Sequence, residues 1–343
     1  MLVLLLCLFS LTITSNLYGK QYDEKQYPTY GRNEKKPIYF LDNISIYAYF
    51  CPRDNCSEIL INMLKGSSSI RCLFYDFNLE NISEILKTKN DYFVGVYIKN
   101  LKSEYYGITH INTSSVMHNK YCILDENVVI TGSMNPTYRD AYLNNNNLIV
   151  IKSRIAAEFY LNDFLSIINM SDFNAPKEPK ENGERSKISG ILKNSSYVEI
   201  KNPSNNISLR ICFSPFQNCR NLILETLKKS KESIYFMTFS FTDNSIAERI
   251  AEKIKEGILA EGIIEKKFYS RSPEVIRGIL FNDTNPYNLH HKVFIIDKNI
   301  VITGSFNPSY NALSNFENLV VIENSQIAKS FAEEFFMLKK KSS

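Results

Sequence analysis

Two stretches of this chain repeat one another. Met117 to Asn135 reads MHNKYCILDENVVITGSMN, and His290 to Asn307 reads HHKVFIIDKNIVITGSFN. Each holds His-x-Lys, four residues, Asp, six residues, then Gly-Ser-x-Asn. The first copy is His118, Lys120, Asp125, Gly132, Ser133 and Asn135; the second is His290, Lys292, Asp297, Gly304, Ser305 and Asn307. The copies lie 172 residues apart (290 − 118). A chain carrying such a pair is expected to be a duplicated domain whose halves bring the two stretches face to face.

The motif predicts its own local geometry. YCIL and VFII are short apolar runs that read as buried strands. Alternation along a strand puts His118 and Lys120 on one face, and likewise His290 and Lys292. Asp125 and Asp297 fall at the turns DEN and DKN. VVIT and IVIT then read as return strands ending at Gly-Ser, which brings Asn135 or Asn307 to the same end of the sheet.

The flanking segments alternate in type. The first half reads as strands at 44–50, 70–77, 92–98 and 148–151 and helices at 55–65, 81–87 and 155–168. The second half repeats this with strands at 208–213, 233–239, 263–269 and 319–322 and helices at 218–229, 245–255 and 327–338. The expected fold class is therefore α/β, with a mixed or parallel sheet covered on both faces in each half. The predicted organisation is a signal peptide or anchor at 1–19, a polar leader at 20–36, a first lobe at 37–171, a linker at 172–206 and a second lobe at 207–343. Within the linker, Ser196–Ile200 is a possible strand.

Leu2–Ile13 is a continuous apolar run, too short for a span of the usual length. It reads as a secretory signal cleaved after Gly19, or as an uncleaved anchor, so the chain is expected to be exported or membrane-anchored. Of seven cysteines, Cys7 lies in that run. Cys51/Cys56 and Cys212/Cys219 sit where a strand turns into a helix and allow local disulfides. Cys72 and Cys122, within apolar strands, read as inert buried thiols. No His lies near either Cys pair, so zinc is not expected. A net charge of +4 permits a polyanionic partner without requiring one. The Lys339–Lys341 run reads as a solvated helix end.

The chemistry lies in what recurs. Of four histidines, two occupy the same place in the repeats. A buried strand seldom carries a Lys beside a His without a charged partner. Two Lys, two His, two Ser and two Asn converging on one place suit an oxyanion with many oxygens. His110 and His291 read as packing residues, His291 because it alternates to the opposite face from His290. Tyr105, Tyr106 and Tyr287 precede the motifs as loop tyrosines able to stack a base or touch lipid. Asn-x-Ser/Thr triplets at Asn43, Asn81 and Asn194 are expected by chance in so Asn-rich a chain.

The paired HxK(x)4D(x)6GSxN motifs resemble those of the phospholipase D superfamily, over roughly Ile44 to Leu338. The resemblance implies two α-β-α sandwich lobes with one active site between them. It also implies phosphodiester hydrolysis or transfer through a phosphohistidine, with no metal or other cofactor. His118 would be the nucleophile and His290 the general acid. Lys120, Lys292, Asn135 and Asn307 would stabilise the non-bridging oxygens. Ser133 and Ser305 would add hydrogen bonds or shape the turn, and Asp125 and Asp297 would fix strand ends. A Glu downstream of Gly-Ser often orients the histidine in this superfamily. Glu317 fits that place and is expected beside His290; the first half has Asn146 there, after one inserted residue, so the two imidazoles would not be equivalent.

The expected activity is that of a phosphodiesterase, with nucleic acid the favoured substrate because the chain lacks long inserted loops or added apolar segments for a bilayer. A phospholipid is the alternative, favoured by a leader able to hold the protein at a membrane. An inactive phosphate-binding module is the reading of another class, against which both motifs are complete. A monomer with pseudo-twofold symmetry is expected.

Overall fold

The computed structural model describes residues 36–98, 105–171 and 195–342. The apolar run Leu2–Ile13, residues 20–35 of the polar leader and residues 172–194 of the linker lie outside the described residues.

The first half runs β1 (Ile38–Leu41), β2 (Ser45–Cys51), α1 (Cys56–Gly66), β3 (Ser69–Phe74), α2 (Glu80–Leu86), β4 (Asp91–Val96), β5 (Ile108–His110), β6 (Lys120–Leu124), β7 (Val128–Gly132), α3 (Tyr138–Tyr142), β8 (Asn146–Lys152) and α4 (Arg154–Met170). The second runs β9 (Val198–Asn202), β10 (Ile207–Ser214), α5 (Cys219–Lys228), β11 (Ser233–Thr238), α6 (Asn244–Lys255), β12 (Leu259–Ile264), β13 (Leu280–Asn282), β14 (Lys292–Ile296), β15 (Ile300–Gly304), β16 (Glu317–Glu323) and α7 (Ser325–Lys339). Among the described residues the strands form two mixed sheets. Their shared order is β2-β8-β7-β6-β3-β4-β5 in one and β10-β16-β15-β14-β11-β12-β13 in the other, the latter extended by β1 and β9. The duplication read from the motif is thus a duplication of topology.

Alternation sorts the motif strands between cores. Tyr121 and Ile123 of β6, with Val293 and Ile295 of β14, enter one hydrophobic core shared by both lobes. Cys122 and Leu124 face a separate core under α1 and α2. Phe294 and Ile296 face a third under α5 and α6. The shared core takes α4 and α7. In α7, Ala328, Phe331, Ala332, Phe335 and Leu338 are buried at helical spacing. Each of these two helices starts on a cap at the end of its motif sheet: Ser153 Oγ accepts from Ala156 N–H, and Asn324 Oδ1 from Ile327 N–H. A fully buried Phe of this kind contributes about 1.5–3 kcal/mol, and both α4 and α7 contribute such residues to the shared core.

Four expectations are corrected. The lobe boundaries at 37 and 206 do not follow the sheets: β1 pairs parallel with β9, Ile38 opposite Val198, so both strands belong to the second sheet. Phe40 of β1 reaches the shared core by an edge contact with Phe159 of α4, which gives the strand its place there. The strand expected at 263–269 ends at Ile264, because Glu265 caps a 3-10 turn at Lys266–Arg271. Cys72 and Cys122 are a disulfide rather than free thiols. β3 and β6 put them directly opposite at 4.1 Å between Cα atoms, a pairing of strands distant in sequence. The local bridges Cys51–Cys56 and Cys212–Cys219 are present. Tyr105 is buried, edge-on to Phe77, and is not a loop tyrosine on the surface; Tyr106 and Tyr287 are exposed.

Candidate active site

The two motifs meet. His118 N–H donates to Phe316 O across the lobes at 2.9 Å, and His290 N–H to Asn145 O at 2.8 Å. Side chains repeat the exchange deeper in: Asn318 Nδ2 donates to Thr131 Oγ1 and Asn147 Nδ2 to Thr303 Oγ1. These bonds fix the segment before each motif strand to the start of the other lobe's last strand.

Each imidazole is held by the opposite lobe. His118 Nδ1–H donates to Glu317 Oε2 at 2.8 Å. His290 Nδ1–H donates to Asn146 Oδ1 at 2.9 Å. A carboxylate can only accept, so Nδ1 of His118 carries the proton and Nε2 is left free. Asn146 is oriented the same way, since its Nδ2 donates to Asp140 O while its Oδ1 also accepts from Ser133 Oγ. Ser305 Oγ donates to Glu317 Oε2. The two serines thus hold the groups that hold the histidines. The expectation that Glu317 lies beside His290 is corrected: the strands bearing Glu317 and Asn146 cross to the other lobe's histidine, an exchange that the order of residues along the chain does not reveal.

Gly132 and Gly304 are required by this packing. Their φ values are 131° and 135°, and a Cβ would lie 2.3 Å from Asn147 O or Asn318 O. Lys120 and Lys292 are buried, each donating to the carbonyl of its own histidine at 2.7 Å. Asp125 and Asp297 lie at the other end of the motif strands and accept backbone N–H groups, from Ser68 and Ser69 and from Lys231, Glu232 and Ser233. His291 packs on the inner face near Phe50, with Nδ1 bonded to Asn147 Oδ1. His110 bonds Val96 O on β4.

A cleft of about 880 Å³ opens over the histidines, whose side chains keep 14% and 13% of their surface exposed. Asn135 and Asn307 line it, with Tyr75, Asp76 and Asp140 from the first lobe and Phe239 from the second. Tyr75 stands edge-on to His118 and Phe239 edge-on to His290. Sequence reasoning missed these four. The aromatic pair was signalled by Tyr75-Asp76-Phe77 and Phe239-Ser240-Phe241 closing equivalent strands. Asp140 had no such signal, because the position 172 residues on is Ala312.

Burial and like charge shape the titration of the site's basic groups. Burial lowers the Lys120 ammonium to about 8, against the opposing charges of Glu317, Asp140 and Asp76. Lys292 falls well below its ordinary value through burial and then the charge of Lys120. Burial pushes both histidines down, His290 further. Burial raises Glu317, but His118, Lys120 and Ser305 outweigh it and hold the carboxyl below its usual range.

Two mixed-sheet lobes that set paired His, Lys and Asn side chains around one cleft define a phosphodiesterase of the two-motif type. The chain belongs to the phospholipase D superfamily: residues 41–168 and 223–339 match the family described as cardiolipin synthase, PLD-like domain. It is 31% identical over 186 residues to a phospholipase D of Rickettsia typhi, covering 51% of this chain and 82% of that one. It is 25% identical over 122 residues to a mitochondrial cardiolipin hydrolase of Xenopus tropicalis, covering 32% and 58%. The crystal structure of a phosphatidylserine synthase from Haemophilus influenzae shares the fold, with a TM-score of 0.61, 14% identity and 86% of each chain covered.

Proposed function

We propose that the protein hydrolyses phospholipid phosphodiesters at the head group through a phosphohistidine. The observation that carries the mechanism is the His118–Glu317 bond, which leaves Nε2 of a neutral imidazole free at the cleft. Nε2 attacks phosphorus, the bond to the leaving oxygen breaks, and that oxygen takes the Nε2 proton of His290, which enters the step as an imidazolium once the anionic diester and Asp140 offset its burial. His290 then takes a proton from water, the water oxygen bonds to phosphorus, and the N–P bond breaks. Lys120, Lys292, Asn135 and Asn307 stabilise the charge on the non-bridging oxygens.

The lipid reading rests on the names of the relatives, phospholipase D and cardiolipin hydrolase. It replaces the preference for nucleic acid drawn from chain compactness. Asn78, Asn144, Asn288 and Asn311 line the cleft and suit a polar head group. Nucleic acid is the second reading, supported by Tyr75 stacked on Tyr97 at 5.9 Å beside His118, a platform for a base. A turnover panel decides: phosphatidylcholine, cardiolipin, single- and double-stranded nucleic acid and a nitrophenyl phosphodiester, each with and without chelator. Release of head group or phosphatidate with nucleic acid untouched supports the lipid reading; the reverse sinks it. Loss of turnover in chelator, restored by a divalent ion, would refute metal independence.

The apolar run at Leu2–Ile13 and the three disulfides support export or membrane tethering. With both motifs in one chain, a monomer suffices for one site. Fractionation with N-terminal sequencing tests the first, and solution mass the second.

A further inference from the structure

We propose that Asp140 is a positioning residue for His290, supplying from outside the repeat the carboxylate that Glu317 supplies to His118. The inference rests on the reading of His290 as the proton carrier. Its starting point is an asymmetry. The residue that receives the opposite lobe's imidazole is an anion in one half and a neutral amide in the other. Asn146 can accept a hydrogen bond but cannot balance the charge His290 gains when it takes a proton from water. Asp140 can: its Oδ1 stands 3.4 Å from the same Nδ1.

The chain holds that carboxylate in place. Thr137 caps α3, its Oγ1 accepting from Asp140 N–H. Asp140 Oδ2 accepts from the backbone and side-chain N–H groups of Asn135, both at 2.8 Å, and Oδ1 accepts from Asn144 Nδ2 at 2.6 Å. Burial raises the carboxyl, but His290 and these bonds outweigh it and keep it below its ordinary value. The other charged groups facing His290 are Lys292 on β14, Lys120 on β6 and His118, all of which disfavour an imidazolium. Among the groups acting on His290, Asp140 is the one that favours it. Asp140→Asn keeps a side-chain oxygen able to accept from Asn135, so the substitution removes the charge and leaves that anchor.

The test uses the full chain, a nitrophenyl phosphodiester, and rapid mixing followed by steady-state rates across pH. Nitrophenolate leaves without a proton, so the first turnover needs no acid, whereas release of the phosphohistidine needs His290 as base. Asp140→Asn should leave the first-turnover rate within about threefold of wild type and lower the steady-state rate about 10–100-fold. The acid limb of the kcat profile should move to lower pH, because His290 loses what favours its protonation. Adding Asn146→Glu should restore both the rate and the limb, by giving the first half the carboxylate that the second half has. Wild-type rate and limb in Asp140→Asn would overturn the proposal. So would equal loss of both phases with no rescue, which is the mark of a merely structural role. His290→Ala separates the two levels: if it turns over normally, the reading of the site fails; if it stalls after one turnover while Asp140→Asn is normal, Asp140 alone is refuted.

Discussion

His118 and Glu317 are 199 residues apart in the chain and 2.8 Å apart in space. The bond crosses from one lobe to the other, so the imidazole of one motif is oriented by the other lobe. Glu317→Gln keeps the shape but removes the charge and can present an N–H to Nδ1, favouring the wrong tautomer. Turnover should fall about 10²–10⁴-fold with little change in KM. Steady-state kinetics on any accepted diester checks this; an unchanged kcat would remove Glu317 from the mechanism.

The roles of the two histidines separate in single-turnover chemistry. With a nitrophenyl diester, His290→Ala should release about one equivalent of nitrophenolate per site and then stall. The label should stay on His118 as an acid-labile adduct. His118→Ala should give no burst. A burst in His118→Ala with label on His290 would exchange the roles, and absence of label from both would count against covalent catalysis.

Anion binding should draw in protons. Lys120 titrates at about 8 in the free site, and a bound oxyanion favours its charged form. Sulfate, whose charge is constant over the range, should inhibit well below pH 8 and progressively less above it, about tenfold per pH unit for each linked proton. Inhibition constants measured from pH 6 to 10 give the slope; a flat profile would mean that Lys120 is charged throughout.

Lys292 should cost stability. Its folded pKa is depressed by burial and by Lys120, so the folded state binds its proton less well than the unfolded chain. The penalty is present at pH 7 and fades as pH rises toward the ordinary lysine value. Lys292→Met should therefore be inactive yet melt a few degrees higher at pH 7, about 1 kcal/mol. The advantage should disappear near pH 10.5. Thermal denaturation at both pH values tests the sign, and a lower melting point at pH 7 would reverse it.

The repeat made the fold legible: its apolar runs predicted β6 and β7, β14 and β15, its recurrence predicted that the two motifs meet, and the family resemblance placed one site between the lobes. Strand pairing was not legible. Cys72 and Cys122 lie on strands separated by 50 residues and become partners through the register of β3 with β6. Ile38–Leu41, at the start of the predicted first lobe, joins the second lobe's sheet by pairing with the edge of β9. Glu317 was read as a site residue but assigned to the wrong imidazole, since the sequence cannot say which lobe a strand end faces. Asp140 left no trace because a repeat advertises what its halves share, and this residue is one they do not.

The cross-lobe exchange has a consequence for symmetry. Two identical half-proteins assembled by twofold symmetry would have to carry the same residue at every equivalent position, and both imidazoles would have the same partner. Glu317 where the other half has Asn146, and Asp140 where 172 residues on there is Ala312, cannot arise in such an assembly. Joining the halves in one polypeptide is what permits the two imidazoles to be tuned apart, each mutation touching one and sparing the other. A single polypeptide with two unlike halves can hold its two imidazoles in different surroundings, which a symmetric pair cannot.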